Sequence, residues 1–226
     1  MSNNVQQLFN VLIVDSDPEG RSRLKQAARA MSLFDQVLPV HNLRDARNEL
    51  GPKSSWDLIF LSNKLGDVAI IEFIDDARTN HPRGKDCAYI MVLKGPEQLT
   101  SDIVTKVAKG VDGFLCEPYS AESLKESSET AVKVKLNSCR ARFKLALRVL
   151  LLGMVAEVDR TREGADSDYH HSASFQELTA TCRELLQLST RANMSYTDIV
   201  SEIFDEIIKT VSEDYQGASK RVRNRL

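Results

Sequence analysis

The segment Trp56-Asp57-Leu58-Ile59-Phe60-Leu61-Ser62-Asn63-Lys64-Leu65-Gly66-Asp67 decides the fold of this chain. Its apolar residues run without alternation into a polar turn, which is typical of a strand that is buried on both faces of a parallel sheet. In open parallel sheets the working crevice lies beyond the carboxyl ends of the strands. The segment therefore predicts a central strand that presents Ser62 at the edge of the sheet where chemistry occurs.

Similar apolar runs recur along the first half of the chain, and each run ends in a polar or turn-forming group. The further runs are residues 9–14, 36–40, 89–93 and 113–116. Amphipathic helical patterns separate them, and Asp17 with Pro18 behind it has the form of a helix N-terminus. Strands that alternate with helices predict a five-stranded parallel doubly wound sheet, because parallel strands require crossover connections.

The order and spacing of these runs resemble the receiver domain of bacterial two-component response regulators over roughly residues 8 to 126. The resemblance implies a flavodoxin-like strand order. It also implies a site with two adjacent acids after the first strand to hold Mg²⁺, where this chain has Asp15, then Ser16, with Asp17 one place further on. Ser62 stands at the position of the phosphate-accepting aspartate.

The other receiver positions also differ from the pattern of the family. Lys94 stands at the place of the small hydroxyl residue, and Glu117 at the place of the lysine before the retained Pro118. Phe114 occupies the place of the switch aromatic on the fifth strand. The resemblance thus implies a degenerate pseudo-receiver, with the fold but without the acyl-phosphate reaction, and with no catalytic residue, metal or cofactor.

The exchanged charges in this pocket allow two interpretations. In the first, Lys94 bridges Glu117 and Asp15 in a fixed ion pair that replaces metal and phosphate. In the second, the Lys94 side chain points to solvent. Ser62 lacks a neighbouring base that would make it a nucleophile, so we expect a solvated turn serine, although modification by a kinase stays open.

The second half of the chain, residues 127–226, predicts an all-α dimerisation or docking module that follows a 1–126 pseudo-receiver domain. Glu122 to about Arg162 contains almost no helix breaker, which predicts that the fifth helix is greatly extended. Its apolar stripe predicts either a coiled-coil dimer seam or an intramolecular core. The stripe consists of Leu136, Phe143, Leu147, Leu150 and Met154.

Two further amphipathic helices are predicted before the end of the chain. The first opens at Ser174 with a capping box and places Leu185 and Leu186 on its apolar side. The basic residues of 217–226 predict a disordered tail. These features leave two functions open, a protein-binding module and a nucleic-acid-binding regulator that uses the C-terminal helices and the basic tail.

Composition restricts the function further. The chain has 226 residues and a formal net charge of -2, which gives no overall attraction to nucleic acid or anionic lipid. It shows no signal peptide and no apolar run long enough for a membrane span, so we expect a cytoplasmic protein. The sequence predicts a signalling or adaptor protein that is not an enzyme and acts by protein-protein interaction, independently of phosphorylation and as a homodimer.

Overall fold

The computed structural model describes residues 8–81, 83–95, 103–161 and 173–191, together with Ser201 and Asp205. The strands are Phe9–Val14 (β1), Phe34–Val40 (β2), Leu58–Ser62 (β3), Ala88–Leu93 (β4) and Gly113–Cys116 (β5). The α-helices are Pro18–Arg29 (α1), Leu43–Glu49 (α2), Asp67–Asn80 (α3), Ile103–Ala108 (α4), Ala121–Thr161 (α5) and Ala173–Arg191 (α6). Two 3₁₀ turns, Asn63–Leu65 and Gly84–Asp86, precede α3 and β4.

The five strands form one sheet in the order β2-β1-β3-β4-β5, and every neighbouring pair is parallel. This is the flavodoxin-like order of doubly wound proteins. The predicted fold class is confirmed. The central position of β3 agrees with the uninterrupted apolar run that predicted it.

The sheet is covered on both faces, which explains why its strands lack polar alternation. Ile13, Phe60 and Ile90 share one core cluster with residues of α1 and α5. Leu12 and Ile59 belong to the other cluster, together with residues of α2 and α3. Because successive strand residues point to opposite faces, each strand must be apolar at every position to fill both cores.

Local signals place the helices that surround the site. Asp17 caps α1 by accepting a hydrogen bond from the backbone N–H of Glu19, and Pro18 is the first helical residue. Asn42 caps α2 in the same way through the N–H of Asp45. Gly110 ends the turn after α4 with a φ of 97°, a conformation that favours glycine.

The long fifth helix is confirmed at 41 residues, which at ~1.5 Å per residue corresponds to about 60 Å. The chain divides into two compact units inside this helix, between Lys135 and Leu136. In the second unit the Arg142 guanidinium of α5 pairs with the buried Glu184 carboxylate of α6.

Burial along the predicted stripe of α5 decreases toward the end of the helix. Leu136 and Phe143 are buried, whereas Leu147 and Leu150 are only partly buried. The Met154 side chain and the basic tail lie outside the described residues. On α6, Leu185 is buried, but Leu186 is exposed, so its predicted place on the apolar side is wrong.

Within the described part of the chain, no helix combines the length and apolarity required to span a membrane.

Candidate functional site

The carboxyl ends of four neighbouring strands bring the predicted site residues to one edge of the sheet. Asp15 follows β1, Ser62 is the last residue of β3, Lys94 follows β4 and Glu117 follows β5. These strands lie side by side in the order β1-β3-β4-β5. The residues singled out in the sequence therefore lie together at the carboxyl edge of the sheet.

Asp15 is buried and held by the chain around it. Its Oδ1 accepts the backbone N–H of Asp17 at 2.9 Å. Its Oδ2 lies against Gly20, where an added Cβ would come within 2.5 Å of that oxygen. Arg21 donates from Nη1 to the Asp15 carbonyl oxygen at 2.6 Å. The first turns of α1 thus fix the position of this carboxylate.

Asp17 has both carboxylate oxygens engaged. Oδ1 accepts the N–H of Glu19 at 3.1 Å, and Oδ2 accepts a hydrogen bond from Nζ of Lys64 at 2.5 Å. The hydrogen bond from Lys64, followed by that from Glu19, lowers the pKa of Asp17. In return, the hydrogen bond to Asp17 and the nearby charges of Asp15, Asp17 and Glu117 raise the pKa of Lys64.

Glu117 pairs with a cation from α1. Arg23 approaches it with 3.2 Å between Nη2 and Oε1, and this hydrogen bond raises the pKa of Arg23. The peptide bond from Glu117 to Pro118 is cis. The bridge from Lys94 to Glu117 and Asp15 stays a prediction.

Ser62 differs from the solvated turn serine that we expected. It pairs with Val92 as the last residue of β3 and is 4% exposed. The expectation was wrong because the strand extends one residue beyond the apolar run and takes the serine into the sheet.

Ser16, in contrast, is exposed in the loop after β1. Phe114 is partly buried on β5 and packs against the core on the α2 and α3 face.

Sequence reasoning missed the cations that the structure brings to this edge. Lys64 and Arg23 were not singled out, although Lys64 stands two residues after Ser62 in the segment that decides the fold. A polar turn at a strand end was visible in the sequence. The sequence did not show the direction in which the Lys64 side chain extends, because a lysine stem has several rotatable bonds.

The receiver resemblance implies Mg²⁺ at this edge, and the residues present do not fit it. A hard divalent cation requires several oxygen ligands, but Ser16 and Ser62 replace two of the carboxylates. The acid that remains of this pattern, Asp15, directs one oxygen to the backbone N–H of Asp17. Asp17 itself holds the Lys64 ammonium on the oxygen that is not used for the helix cap. Among the described residues, no group of three or more His, Cys, Asp and Glu side chains is arranged to hold a metal ion.

Comparisons with known proteins gave matches among solved structures alone. No protein-family model matches the chain, and the search of curated proteins gave no match. A signal receiver domain of a putative Luxo repressor protein from Vibrio parahaemolyticus is 25% identical, with a TM-score of 0.44 over 58% of this chain and 95% of that one. A response regulator receiver domain protein from Clostridium thermocellum is 16% identical, with a TM-score of 0.46 over 57% and 97%.

The chemotaxis response regulator CheY4 of Vibrio cholerae is 20% identical, with a TM-score of 0.46 over 55% of this chain and 98% of that one. Two of these three structures are described as receiver domains and the third as a response regulator. The receiver-like fold of the first unit follows from its own strand order and parallel register.

Proposed function

We propose that this chain is a cytoplasmic, response-regulator-like signalling protein that acts by binding other proteins, without phosphorylation of its receiver-like unit and without catalysis. The observation that carries the proposal is the buried serine at the end of the central strand. Ser62 occupies the position from which a receiver presents its phosphate-accepting carboxylate. Without that carboxylate the chain has no group there that forms an acyl phosphate.

The burial of Ser62 also argues against a phosphoserine in its place. A kinase requires the hydroxyl to enter its own active site, and this side chain is 4% exposed. Signalling through this unit is therefore independent of both kinds of phosphorylation.

The helical unit supplies the surface that we propose for binding. Leu145 is 63% exposed and Val149 is 43% exposed, and the two lie one helical turn apart on α5. Leu186 is also exposed on α6. Large apolar side chains that remain exposed in adjacent positions mark interaction surfaces when they form a patch. We propose that this face of α5 binds protein partners, with a second copy of the chain as the first of them.

Co-purification from the native host, with the full chain as bait, tests this function. We expect the same proteins to be retained with and without a small phosphodonor and Mg²⁺. We expect retention to fall at least about tenfold when Leu145→Ser and Val149→Ser are combined, because each change removes an apolar contact of about 1.5 to 3 kcal/mol. Val68→Ser, a single exposed apolar change on α3, serves as the control.

The alternative function gives a different result in the same experiment. If the protein is a nucleic-acid-binding regulator, nuclease treatment removes the retained material, and retention falls steeply as the salt concentration rises. Retention that requires the phosphodonor would contradict the proposed independence from phosphorylation.

A further inference from the structure

We infer that Lys64 is a built-in counter-ion of the receiver-like site, and that its ammonium group takes the place of the divalent cation that receivers hold between the loops after β1 and β3. The cation of this site is thus a side chain of the protein and not a bound metal ion. The inference concerns the chemistry of the pocket and does not depend on the proposed binding function.

The turn after β3 brings the lysine to the acids. Residues Asn63–Leu65 form a 3₁₀ turn directly after the strand, and Gly66 ends it with a φ of 88°. The Gly66 N–H donates to the Asn63 carbonyl at 3.0 Å, and the Ile70 N–H donates to the Gly66 carbonyl at 3.0 Å. The turn is thereby fixed between β3 and α3. Because β3 pairs with β1, Lys64 extends toward the neighbouring loop that holds Asp15 and Asp17.

The carboxylates of that loop are arranged for an ammonium ion. Asp15 directs one oxygen to the backbone of Asp17, and Asp17 uses one oxygen for the helix cap. The second oxygen of Asp17 receives Lys64 at 2.5 Å. An ammonium ion needs only a few oxygen acceptors at hydrogen-bond distance, whereas Mg²⁺ demands a nearly ideal octahedron at about 2.1 Å.

The charges of the neighbouring acids also fit a fixed cation at this position. The charges of Asp15 and Glu117, as well as that of Asp17, stabilise the Lys64 ammonium. Arg23 provides a second cation, which pairs with Glu117. A divalent cation in the same position would be repelled by Lys64 at short range. A covalently attached cation cannot be lost to the solvent, so the ion pair between the loops after β1 and β3 needs no free metal ion.

Removing the lysine should open the acidic site to a metal ion. We expect the full-length Lys64→Ala protein to bind Mn²⁺, used as a paramagnetic probe, at least about tenfold more tightly than the wild-type chain, because one repelling charge is lost and one carboxylate oxygen is freed. Mn²⁺ should broaden the backbone amide signals of residues 15–20 and 62–66 selectively. Lys64→Gln provides a second uncharged variant if the alanine variant is poorly folded.

Two matched variants locate the effect. Lys53→Ala removes the same charge from an exposed residue of the loop before β3 and should leave Mn²⁺ affinity unchanged. Asp17→Asn combined with Lys64→Ala keeps a good helix cap and should abolish the gain. Equal Mn²⁺ affinity of the wild-type and Lys64→Ala proteins would overturn the inference. A gain that persists in the double variant would also overturn it, since the metal would then bind elsewhere.

Discussion

Replacing Asp112 with alanine should lower the free energy of unfolding of the receiver-like unit by about 3 kcal/mol. The buried Asp112 carboxylate accepts hydrogen bonds from Nη2 of Arg78 at 2.8 Å and from the backbone N–H of Tyr89 at 2.9 Å. The Arg78 guanidinium also lies over the Tyr89 ring, 5.2 Å from its centroid. The change leaves a buried donor on β4 and a cation on α3 without their acceptor.

Denaturant unfolding followed by tryptophan fluorescence measures this cost. Trp56 is the single tryptophan of the chain and is buried in the core of the same unit. Glu129→Ala removes one partner of the solvent-exposed pair between Lys125 and Glu129 on α5 and should cost less than about 1 kcal/mol. A loss of less than about 1 kcal/mol for Asp112→Ala, as small as that expected for Glu129→Ala, would show that Asp112 does not stabilise the unit.

The effect of Asp112→Ala should depend on pH in a definite direction. Burial raises the pKa of Asp112 above its usual 3.8, although Arg78 opposes that rise. The folded chain therefore binds this proton more tightly than the unfolded chain, and the contribution of Asp112 to stability decreases as the pH rises from 3.8 through the folded pKa. The difference between the wild-type and variant proteins should accordingly be larger at the acidic end of that window.

Phe143→Ala should destabilise the helical unit by about 3 to 5 kcal/mol, whereas Leu145→Ala should change its stability by less than about 0.5 kcal/mol. Both residues are apolar and stand two positions apart on α5, but Phe143 is 4% exposed and Leu145 is 63% exposed. The first change leaves a cavity in a packed interior. The second removes a side chain that is mostly in water.

Circular dichroism during denaturant unfolding reports the loss of the helices, and light scattering reports the oligomeric state. In the proposed dimer, Leu145→Ser should weaken self-association while leaving helix content unchanged. Phe143→Ala should lower stability even in dilute samples in which no dimer forms. If the two alanine variants lost stability equally, the separation of a buried face from an exposed binding face on α5 would be wrong.

The sequence predicted the sheet well because the physical constraint is strong. A strand such as β3, which must fill a core on each face, has to be apolar at every position, and such a run is visible without a structure. The cap at Asp17 was equally visible in the sequence, since its side chain acts within two residues of its own position. The 41-residue α5 followed from the near absence of helix breakers.

Side-chain partners across the site were not predictable in the same way. The pairing of Lys64 with Asp17 joins residues 47 positions apart, and that of Arg23 with Glu117 joins residues 94 positions apart. The resemblance to receiver domains marked Lys94 as a candidate cation, and the sequence contained no signal that ranked it against Lys64 or Arg23. Burial along the stripe from Leu136 to Leu150 also depends on what covers each turn of the helix, and periodicity does not report that.

The intact mass of the full-length protein after incubation with a small-molecule phosphodonor and Mg²⁺ tests directly whether the receiver-like unit accepts a phosphoryl group. We predict an unchanged mass, because Ser62 cannot form an acyl phosphate and Lys64 occupies the acids that would hold the metal. A stoichiometric phosphoprotein whose added group is released by hydroxylamine would contradict the account.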